Sequence, residues 1–336
     1  MSNWQRIVER CWRGARVTEE EPLAGDASTR RYVRLRLAGE SVPRSIVAML
    51  LPESDAKKSA SDFVDVQRYL EGRGVAVPAL HLDAAAEDGI LLLEDLGDEA
   101  LADAAAQRAA GAALLEEAAA IAARIAASIL DPERGRCVAF GRRHDRALIE
   151  REIHLIGAFA IADGDRPAKP ESDPELTSAL SRLGEALEAQ PDVLIHRDYH
   201  AWNLYVDADG RVRTIDFQDA MIGPALYDVA SLCTDRASAR FVDAESEARL
   251  VDRFASELRG RGIDLDRASL RRDYFVAVAF RALRVLGRFR QLALEAGRTA
   301  HLRFVPDVAA QARRALEAID DPAPRRLLAT RSELFA

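Results

Sequence analysis

The sequence predicts an α+β protein with a small β-rich N-terminal domain and a larger, mainly helical C-terminal domain. Short apolar runs typical of strands occur within the first 96 residues, whereas helical spacing of apolar residues dominates after residue 97. Between them, the acidic, glycine-containing segment 94–98 (EDLGD) interrupts both patterns. We therefore expect domains at 1–96 and 97–336. A chain of 336 residues that is 49% hydrophobic is large enough for each domain to have its own core.

The N-terminal domain opens with a predicted helix. Phe63, Val66 and Leu70 then recur at helical spacing, and Gly72 ends that second helix. The small-residue segment 25–30 (GDASTR) predicts a loop that leads into a hairpin. Apolar or alternating runs predict strands at 32–37, 45–51 and 90–93.

The C-terminal domain combines long helices with a few short strands. The runs 193–195 and 212–215 read as strands, and Asp209-Gly210 predicts a turn between them. Segment 163–174 is rich in Asp, Pro and Gly and predicts a loop, and 320–326 predicts a polar tail. Helices are predicted in the alanine-rich segment up to Leu130 and at 146–160, 245–259, 270–296 and 307–319.

Composition argues against several classes of protein. The 47 Lys and Arg against 55 Asp and Glu give a net charge of −8, which does not favour a nucleic-acid-binding surface. Cys11, Cys137 and Cys233 are widely spaced, so we expect free thiols and neither disulfides nor a zinc site. The N-terminus lacks a secretory pattern, and charges interrupt the apolar region 104–130. We expect a cytoplasmic protein with no membrane association and no obligate protein partner.

The chemistry is concentrated in two polar segments at the ends of predicted strands, 196–203 (HRDYHAWN) and 215–219 (IDFQD). Phosphoryl transfer needs a carboxylate near the acceptor hydroxyl and oxygen ligands for the Mg²⁺ that neutralises the phosphates of ATP. We predict that Asp198 is the base and that Asn203 and Asp216 bind Mg²⁺. The alternative is that these are ordinary turn residues, because Asp and Asn favour turns.

The spacing after Asp216 indicates the kind of acceptor. Few residues separate Asp216 from Gly223-Pro224, which leaves no room for the long segment that docks a peptide in protein kinases. The helices predicted after Asp228 have the length to enclose a compact acceptor. We therefore expect a small-molecule substrate, such as a sugar or an amino alcohol.

The segments HRDYHAWN and IDFQDAMIGPALYDVASL resemble the aminoglycoside phosphotransferase and choline kinase superfamily. This resemblance implies a protein-kinase-like, two-lobed fold that uses ATP and Mg²⁺. Three outer segments, GDASTRRYVRL, LLLEDLGD and RALRVLGRF, resemble the bacterial anomeric kinases of N-acetylmuramate and N-acetylglucosamine. An amino-sugar kinase of cell-wall peptidoglycan recycling is thereby implied. The alternatives are an aminoglycoside or other small hydroxyl-compound kinase and a nucleotide-binding pseudokinase.

The resemblance also implies a nucleotide site in the N-terminal domain. It places an adenine-binding hinge at 91–96 and a phosphate-covering loop at 25–29. A small-residue loop such as 25–29 is equally compatible with a plain turn. Met49 stands where a kinase normally carries a lysine, so either another cation, with Arg31 and Arg34 as the nearest candidates, contacts the phosphates or activity is impaired. The residues implied for nucleotide binding are Gly25, Ala27, Ser28, Thr29, Arg31, Met49, Glu94 and Leu96.

Further polar residues are candidates for acceptor binding or for support of the site. We expect His196 to be a buried hydrogen-bonding residue, and the resemblance implies that Asp228 holds the catalytic loop through backbone hydrogen bonds. A metal role for His196 and His200 lacks a third soft ligand. The candidate acceptor contacts are His200, Asp219, Glu152, Arg281 and Arg284; the last three are alternatively ordinary charges on helix surfaces, and His200 and Asp219 are alternatively structural. Trp202 is expected to be packed.

Overall fold

The computed structural model describes residues 3–23, 30–51, 56–160 and 173–332. The chain forms two compact units, one of 1–99 with 205–218 and the other of 100–204 with 219–336. The predicted loop at 25–29 and nearly all of the predicted loop at 163–174 lie outside the described residues. The α+β prediction is confirmed, since strands dominate the first unit and helices the second.

The first unit contains a five-stranded antiparallel sheet in the order β1-β2-β3-β5-β4. The predicted strands correspond to β2, β3 and β5, whereas β1 and β4 were not predicted. Both missed strands lie at sheet edges and carry polar residues. The elements are α1 (Asn3–Glu9), β1 (Arg16–Leu23), β2 (Arg31–Ala38), β3 (Ser45–Leu50), α2 (Ala56–Gly72), β4 (Leu80–Ala84), α3 (Ala85–Asp88) and β5 (Ile90–Glu94).

Side chains on this sheet alternate between two faces, because successive residues of a strand point in opposite directions. One face forms a core with α1, through Ile7 and Val8 of the helix and Leu35, Ile46 and Leu92 of the sheet. On the opposite face, the strand register places Met49 beside Tyr32 on one side and beside Leu91 on the other.

Helices dominate the rest of the chain, together with two small strand pairs. Strand β6 pairs antiparallel with β9, and β7 pairs with β8. The elements are α4 (Leu101–Gln107), α5 (Gly111–Ala127), α6 (Arg146–Leu155), a π-helical segment (Ile156–Ala160), α7 (Pro174–Glu188), β6 (Asp192–Ile195), β7 (Leu204–Val206), β8 (Val212–Thr214), β9 (Met221–Pro224), α8 (Tyr227–Cys233), α9 (Ala244–Gly260), α10 (Leu270–Ala296), α11 (Val305–Ala318) and α12 (Pro322–Thr330).

Aspartate side chains cap the N-termini of four of these helices. Asp145, Asp173 and Asp243 each accept a hydrogen bond from a backbone N–H in the first turn of α6, α7 and α9. The prediction of a polar tail at 320–326 is wrong, because Asp321 caps α12 in the same way and Leu327 of that helix is buried. Helix α7 was not predicted.

Helix α10 forms the centre of the second unit. Its residues Phe280 and Leu283 are fully buried, and the predicted span 270–296 coincides with the observed helix. Close packing depends on Gly287, where a Cβ atom would lie 2.7 Å from Leu155 Cδ2 and 3.1 Å from the Leu155 carbonyl oxygen. Among the described residues, no helix is long and apolar enough to cross a membrane.

Candidate active site

The strand pair β6–β9 positions the loop that carries Asp198. Val193 lies opposite Gly223 and Ile195 opposite Met221. A Cβ atom at Gly223 would lie 2.5 Å from Ile195 Cδ1 and 3.2 Å from His144 Cβ, so only glycine fits there without a shift of its neighbours. The pairing therefore places the end of β6, and the loop after it, in a tightly packed surrounding.

Asp228 fixes the first residues of this loop. Its Oδ2 accepts a hydrogen bond from the His196 N–H at 2.6 Å, and its Oδ1 accepts one from the Arg197 N–H at 3.0 Å. Burial raises the pKa of Asp228 to about 6, although His196 and the two backbone donors lower it. Arg197 has a φ of 78°, a left-handed conformation that costs a non-glycine residue on the order of 1 kcal/mol. The two hydrogen bonds offset that cost.

Two further hydrogen bonds anchor the rest of the loop. The Tyr199 hydroxyl donates to the Ala118 carbonyl of α5 at 2.8 Å, and the ring is fully buried. Asn203 Nδ2 donates to the Asp198 carbonyl at 3.0 Å. Because its nitrogen faces that carbonyl, the amide oxygen of Asn203, the atom that binds cations, points to the other side.

Positive charges around Asp198 favour its ionised form. Burial by itself opposes ionisation of this carboxyl, but the charge of Arg284, and after it that of Arg197, lowers the pKa of Asp198 below its ordinary value. The carboxylate is therefore ionised at neutral pH and ready to accept a hydrogen bond and then a proton from an acceptor hydroxyl.

Arg284 is held in place by a buried network on α6 and α8. Its Nε lies 2.9 Å from Glu152 Oε1, and its Nη1 donates to the Tyr227 hydroxyl at 3.2 Å. The other oxygen of Glu152 lies 3.0 Å from His144 Nε2, and Arg197 Nη2 lies 3.8 Å from Oε1. Glu152 is only 6% exposed, so its interpretation as a helix-surface charge is wrong.

Arg281 and His200 occupy buried or half-buried positions beside the same loop. Arg281 is 6% exposed and donates to Ser231 Oγ at 2.6 Å and to the Thr234 carbonyl at 3.0 Å, so it too is no surface charge. Burial lowers the pKa of His200, although Asp235 and Asp198 oppose this effect. His200 is therefore neutral at neutral pH.

Asp216 belongs to the first unit and follows β8. Its φ of 63° is the left-handed conformation, and its Oδ1 accepts a hydrogen bond from Gln218 Nε2 at 2.8 Å. Among the described residues, three non-glycine residues have positive φ, and Arg197 and Asp216 are two of them. Such backbone conformations are concentrated at functional sites. Asp219 is exposed at the end of the short 3-10 turn Phe217–Asp219.

The predicted hinge region is tied down by two arginines. Arg34 Nε lies 2.7 Å from Asp95 Oδ2 and Arg34 Nη2 lies 2.8 Å from Asp98 Oδ1, while the arginine side chain is 5% exposed. Arg213 Nη2 lies 2.6 Å from Glu94 Oε2 and also donates to the Val77 carbonyl. Arg34, one of the two arginines considered as a substitute for the missing lysine, is therefore engaged in a buried ion pair.

The sheet face that carries Met49 presents a different arginine. Met49 is fully buried, and Tyr32 lies beside it in the register. The Tyr32 side chain forms a hydrogen bond with that of Arg30. Burial raises the pKa of Tyr32, the charge of Arg30 opposes this, and the charge of Asp216 adds to it. Arg30, Tyr32 and Asp216 are thus neighbours within the first unit. The exposed Arg31 lies on the opposite face of the sheet from Tyr32, because side chains alternate between the two faces along a strand.

Each of the two residues predicted to bind Mg²⁺, taken separately, carries a donor atom that suits this cation. Asn203 and Asp216 offer an amide oxygen and a carboxylate, the hard oxygen ligands that Mg²⁺ prefers. No cluster of three or more His, Cys, Asp or Glu with metal-binding geometry occurs in the part of the chain that the structure describes. A cation that keeps several waters and binds substrate phosphates needs no such cluster.

A surface cavity of about 440 Å³ lies elsewhere in the first unit, between α2 and the β4–α3 segment. Ser61, Asp65, Arg68 and Asp83 are among its lining residues. It contains none of the residues predicted from the motifs, so cavity volume alone is a poor guide to the site.

Several supporting residues carry no local signal in the sequence. His144 pairs with Glu152 eight residues later, and Tyr199 reaches α5 across more than eighty residues. Asp235, which is 4% exposed and whose charge acts on His200, lies outside both motifs. Only the folded arrangement brings these residues to the loop of Asp198.

Comparisons with known proteins identify the sequences and structures that this chain is similar to. Residues 19–271 match the model of the phosphotransferase enzyme family. The N-acetylmuramate/N-acetylglucosamine kinase of Pseudomonas aeruginosa is 32% identical over 316 residues, which cover 89% of this chain and 84% of that protein. The enzyme of the same name from Neisseria meningitidis is 31% identical over 259 residues, which cover 73% and 69%.

A solved structure shows the same fold. The ADP-bound aminoglycoside phosphotransferase APH(2'')-Ib superposes with a TM-score of 0.60 at 12% identity, covering 95% of this chain and all of that one (100%). The kinase-like fold class implied by the motifs is thereby confirmed.

Proposed function

The chain belongs to the phosphotransferase enzyme family, and we propose that it transfers a phosphoryl group from ATP to the anomeric hydroxyl of an amino sugar. N-acetylmuramate and N-acetylglucosamine are the proposed acceptors, because relatives at 32% and 31% identity carry the names of these two sugars. The reaction class rests above all on Asp198, which is kept ionised by Arg284 in a loop fixed by Asp228.

In the proposed reaction, Asp198 orients the acceptor hydroxyl and takes its proton as the new bond between oxygen and phosphorus forms. The bond between the terminal phosphorus of ATP and its bridging oxygen breaks, and ADP leaves. Bound Mg²⁺ would supply charge neutralisation at the phosphates. Asn203, whose amide is oriented by the Asp198 carbonyl, and Asp216 would hold that cation, and Asp219 is an additional candidate for metal or acceptor contact.

For the nucleotide we propose the sheet face of Met49 together with the hinge. Glu94 and Leu96 would present backbone groups to adenine, and the segment containing Gly25, Ala27, Ser28 and Thr29 would cover the phosphates. Arg31 remains a predicted phosphate contact. Arg30 is a second candidate, because its side chain forms a hydrogen bond with that of Tyr32. Tyr32 lies beside Met49 in the strand register, and the charge of Asp216 raises its pKa. A cation at this position would replace the lysine that β3 lacks.

Near the acceptor, Glu152, Arg281 and Arg284 would act mainly by positioning the loop, since their side chains contact other buried groups. His200 is the proposed direct contact among the predicted residues. We further propose that the enzyme acts in the cytoplasm, without an obligate protein partner, in recycling of cell-wall amino sugars.

Two alternatives remain as outcomes of a direct test. Purified protein with ATP and Mg²⁺ is incubated with N-acetylmuramate, N-acetylglucosamine and an aminoglycoside, and phosphorylated products are identified by mass spectrometry. We expect anomeric sugar phosphates from the first two, and loss of at least 100-fold in kcat for Asp198→Asn with unchanged ATP affinity by calorimetry. Product from the aminoglycoside alone would overturn the amino-sugar assignment. Retained ATP binding without any product would indicate the pseudokinase, which the buried Met49 makes the second candidate.

A further inference from the structure

Segment 94–98 contains three acidic residues, and each of them pairs with an arginine of the first unit. Glu94 pairs with Arg213, at 2.6 Å between Oε2 and Nη2 and at 3.1 Å between Oε1 and Nη1. Asp95 and Asp98 both pair with Arg34. The carboxylates of this segment are therefore committed to contacts within the first unit.

Arg34 holds the segment at two points. Its Nε and Nη2 donate to the two oxygens of Asp95 at 2.7 and 3.1 Å, which is the bidentate geometry that a guanidinium forms with a carboxylate. Its Nη1 and Nη2 also donate to Asp98 at 3.2 and 2.8 Å. The side chains of Arg34 and Asp95 are 5% and 7% exposed, so solvent screens this pair very little.

Asp95 transmits this constraint to the backbone. Its Oδ1 also accepts a hydrogen bond from the Gly97 N–H at 3.1 Å, which closes a turn around Leu96. Gly97 has a φ of 85°, a left-handed conformation that glycine adopts without steric cost. Burial by itself raises the pKa of Asp95, but the hydrogen bonds from Arg34, Ser45 and Gly97 lower it below its ordinary value. The carboxylate that joins Arg34 to the turn is thus ionised at neutral pH.

Leu96, at the centre of this turn, has backbone groups that are available to a ligand. The residue is half-buried, and neither its N–H nor its carbonyl forms a hydrogen bond with any residue that the structure describes. Backbone groups away from bulk water normally have a partner. Since the neighbouring carboxylates pair with arginines, the backbone of Leu96 is what the turn can offer to a planar ligand.

Adenine and guanine differ on the edge that such backbone groups can read. Adenine presents an amino donor beside a ring-nitrogen acceptor, whereas guanine presents a carbonyl acceptor beside a ring N–H donor. Backbone groups that are held in place for one of these patterns leave polar groups unpaired against the other. A backbone segment that can rearrange is able to accept both bases. Base selectivity therefore depends on what holds Leu96 in place.

We propose that Arg34 is a positioning residue for base recognition, which acts through Asp95 to hold Leu96 in the geometry that selects adenine over guanine nucleotides. This inference rests on the proposed function, in which ATP is the phosphoryl donor and Glu94 and Leu96 contact its adenine. In this role Arg34 contacts neither base nor phosphate, because its N–H groups already bind Asp95 and Asp98.

The test compares three ligands by calorimetry in the presence of Mg²⁺, namely ATP, GTP and tripolyphosphate, which has phosphates but no base. The wild type should bind ATP at least about tenfold more tightly than GTP. Arg34→Lys keeps the buried charge but loses the bidentate fork. It should lower the ratio of ATP to GTP affinity about tenfold or more, while the affinity for tripolyphosphate changes less than about twofold.

Arg36→Lys is the matched control. Arg36 lies two residues further along β2 and pairs with Glu19 and Glu21 at the surface. The same substitution there should leave all three affinities unchanged. Asp95→Asn disturbs the buried pair from its other side and should lower the ATP to GTP ratio as Arg34→Lys does, so the test does not depend on the folding of one variant.

Different results would overturn the inference and the proposed function. A wild type that binds ATP and GTP equally, or a folded Arg34→Lys and a folded Asp95→Asn that both keep the wild-type ratio, would overturn the role of Arg34. Equal losses for ATP, GTP and tripolyphosphate would reduce Arg34 to a purely structural residue. If ATP binds but no sugar is phosphorylated, the proposed function fails, and the ratio of ATP to GTP affinity still decides the role of Arg34.

Discussion

The carboxylate of Asp228 accepts the backbone N–H of His196 at 2.6 Å, and its second oxygen accepts the next N–H along the chain. A buried side chain thereby determines the course of the loop that carries the proposed base. Asparagine has one acceptor oxygen where aspartate has two, so Asp228→Asn should leave one buried N–H unpaired. We expect a loss of about 1–3 kcal/mol in the free energy of unfolding, measured in urea at neutral pH.

The wild type and Asp228→Asn should also differ in how their stability depends on pH. Because the folded-state pKa of Asp228, about 6, exceeds its ordinary value of 3.8, the contribution of this carboxyl to stability is complete below pH 3.8 and is lost as pH rises through 6. Asparagine does not titrate. The stability of the wild type relative to Asp228→Asn should therefore fall by roughly 2 kcal/mol between pH 4 and pH 7. A difference that is constant with pH would contradict the raised pKa.

Arg284 should control the pH at which the proposed base becomes active. Its charge is the largest of those that lower the pKa of Asp198, so in Arg284→Gln the pKa rises and the acid limb of kcat/KM moves to higher pH. Arg284→Lys keeps the charge and separates this effect from structural damage, and the exposed Arg288→Gln, one turn away on α10, is the control. An acid limb that stays in place while overall activity falls would reduce Arg284 to a purely structural residue.

Two neighbouring arginines, Arg30 and Arg31, are candidates for phosphate contact at the proposed nucleotide site, and their roles can be compared. If Arg30 supplies the phosphate cation, Arg30→Gln should weaken binding of Mg²⁺-ATP about tenfold or more, while binding of adenosine, which has no phosphates, changes little. Arg31→Gln should change both affinities less than threefold. Calorimetric titration of both ligands measures this, and the reverse ranking of the two variants would assign the role to Arg31.

Arg34 and Arg36 lie two residues apart on β2 but differ in burial. Removing Arg34 leaves Asp95, whose side chain is 7% exposed, without its buried partner. Arg34→Met should therefore lower the free energy of unfolding by about 3–5 kcal/mol. Arg36 pairs with Glu19 and Glu21 at the surface, and Arg36→Met should cost about 1 kcal/mol or less. Unfolding in urea compares the two, and equal costs would show that burial of Arg34 contributes little.

Patterns in the local sequence predicted those helices and strands that are determined by their own residues and not by contacts with distant parts of the chain. Strand β3 was predicted at 45–51 and observed at Ser45–Leu50, because it is apolar on both faces. Edge strand β1, with three consecutive glutamates, has no such pattern and depends on pairing with β2. Helix α12 begins after the N-cap residue Asp321. This cap was not recognised in the sequence because it lies in a segment of other polar residues.

For the candidate site, the motifs identified the two loops but not what supports them. The buried ion pairs of Glu152 and Arg34 connect residues far apart in the chain, and a single charged residue in a helix or strand does not reveal its partner. Such contacts follow from tertiary packing alone. Asp228 was found in advance because of the resemblance, not because of its spacing.

The discontinuous first unit has a consequence for how the protein is made. Its early part, residues 1–99, leaves the ribosome before residues 205–218, with all of 100–204 synthesised in between. Until the late segment arrives, Glu94 lacks Arg213 and the Ala76 carbonyl lacks the Thr214 N–H. The first unit therefore cannot mature as an independent N-terminal fragment, and a fragment that ends at Glu99 should not reproduce it. Producing the first unit by itself would require a rearranged chain in which 205–218 is joined directly to 1–99.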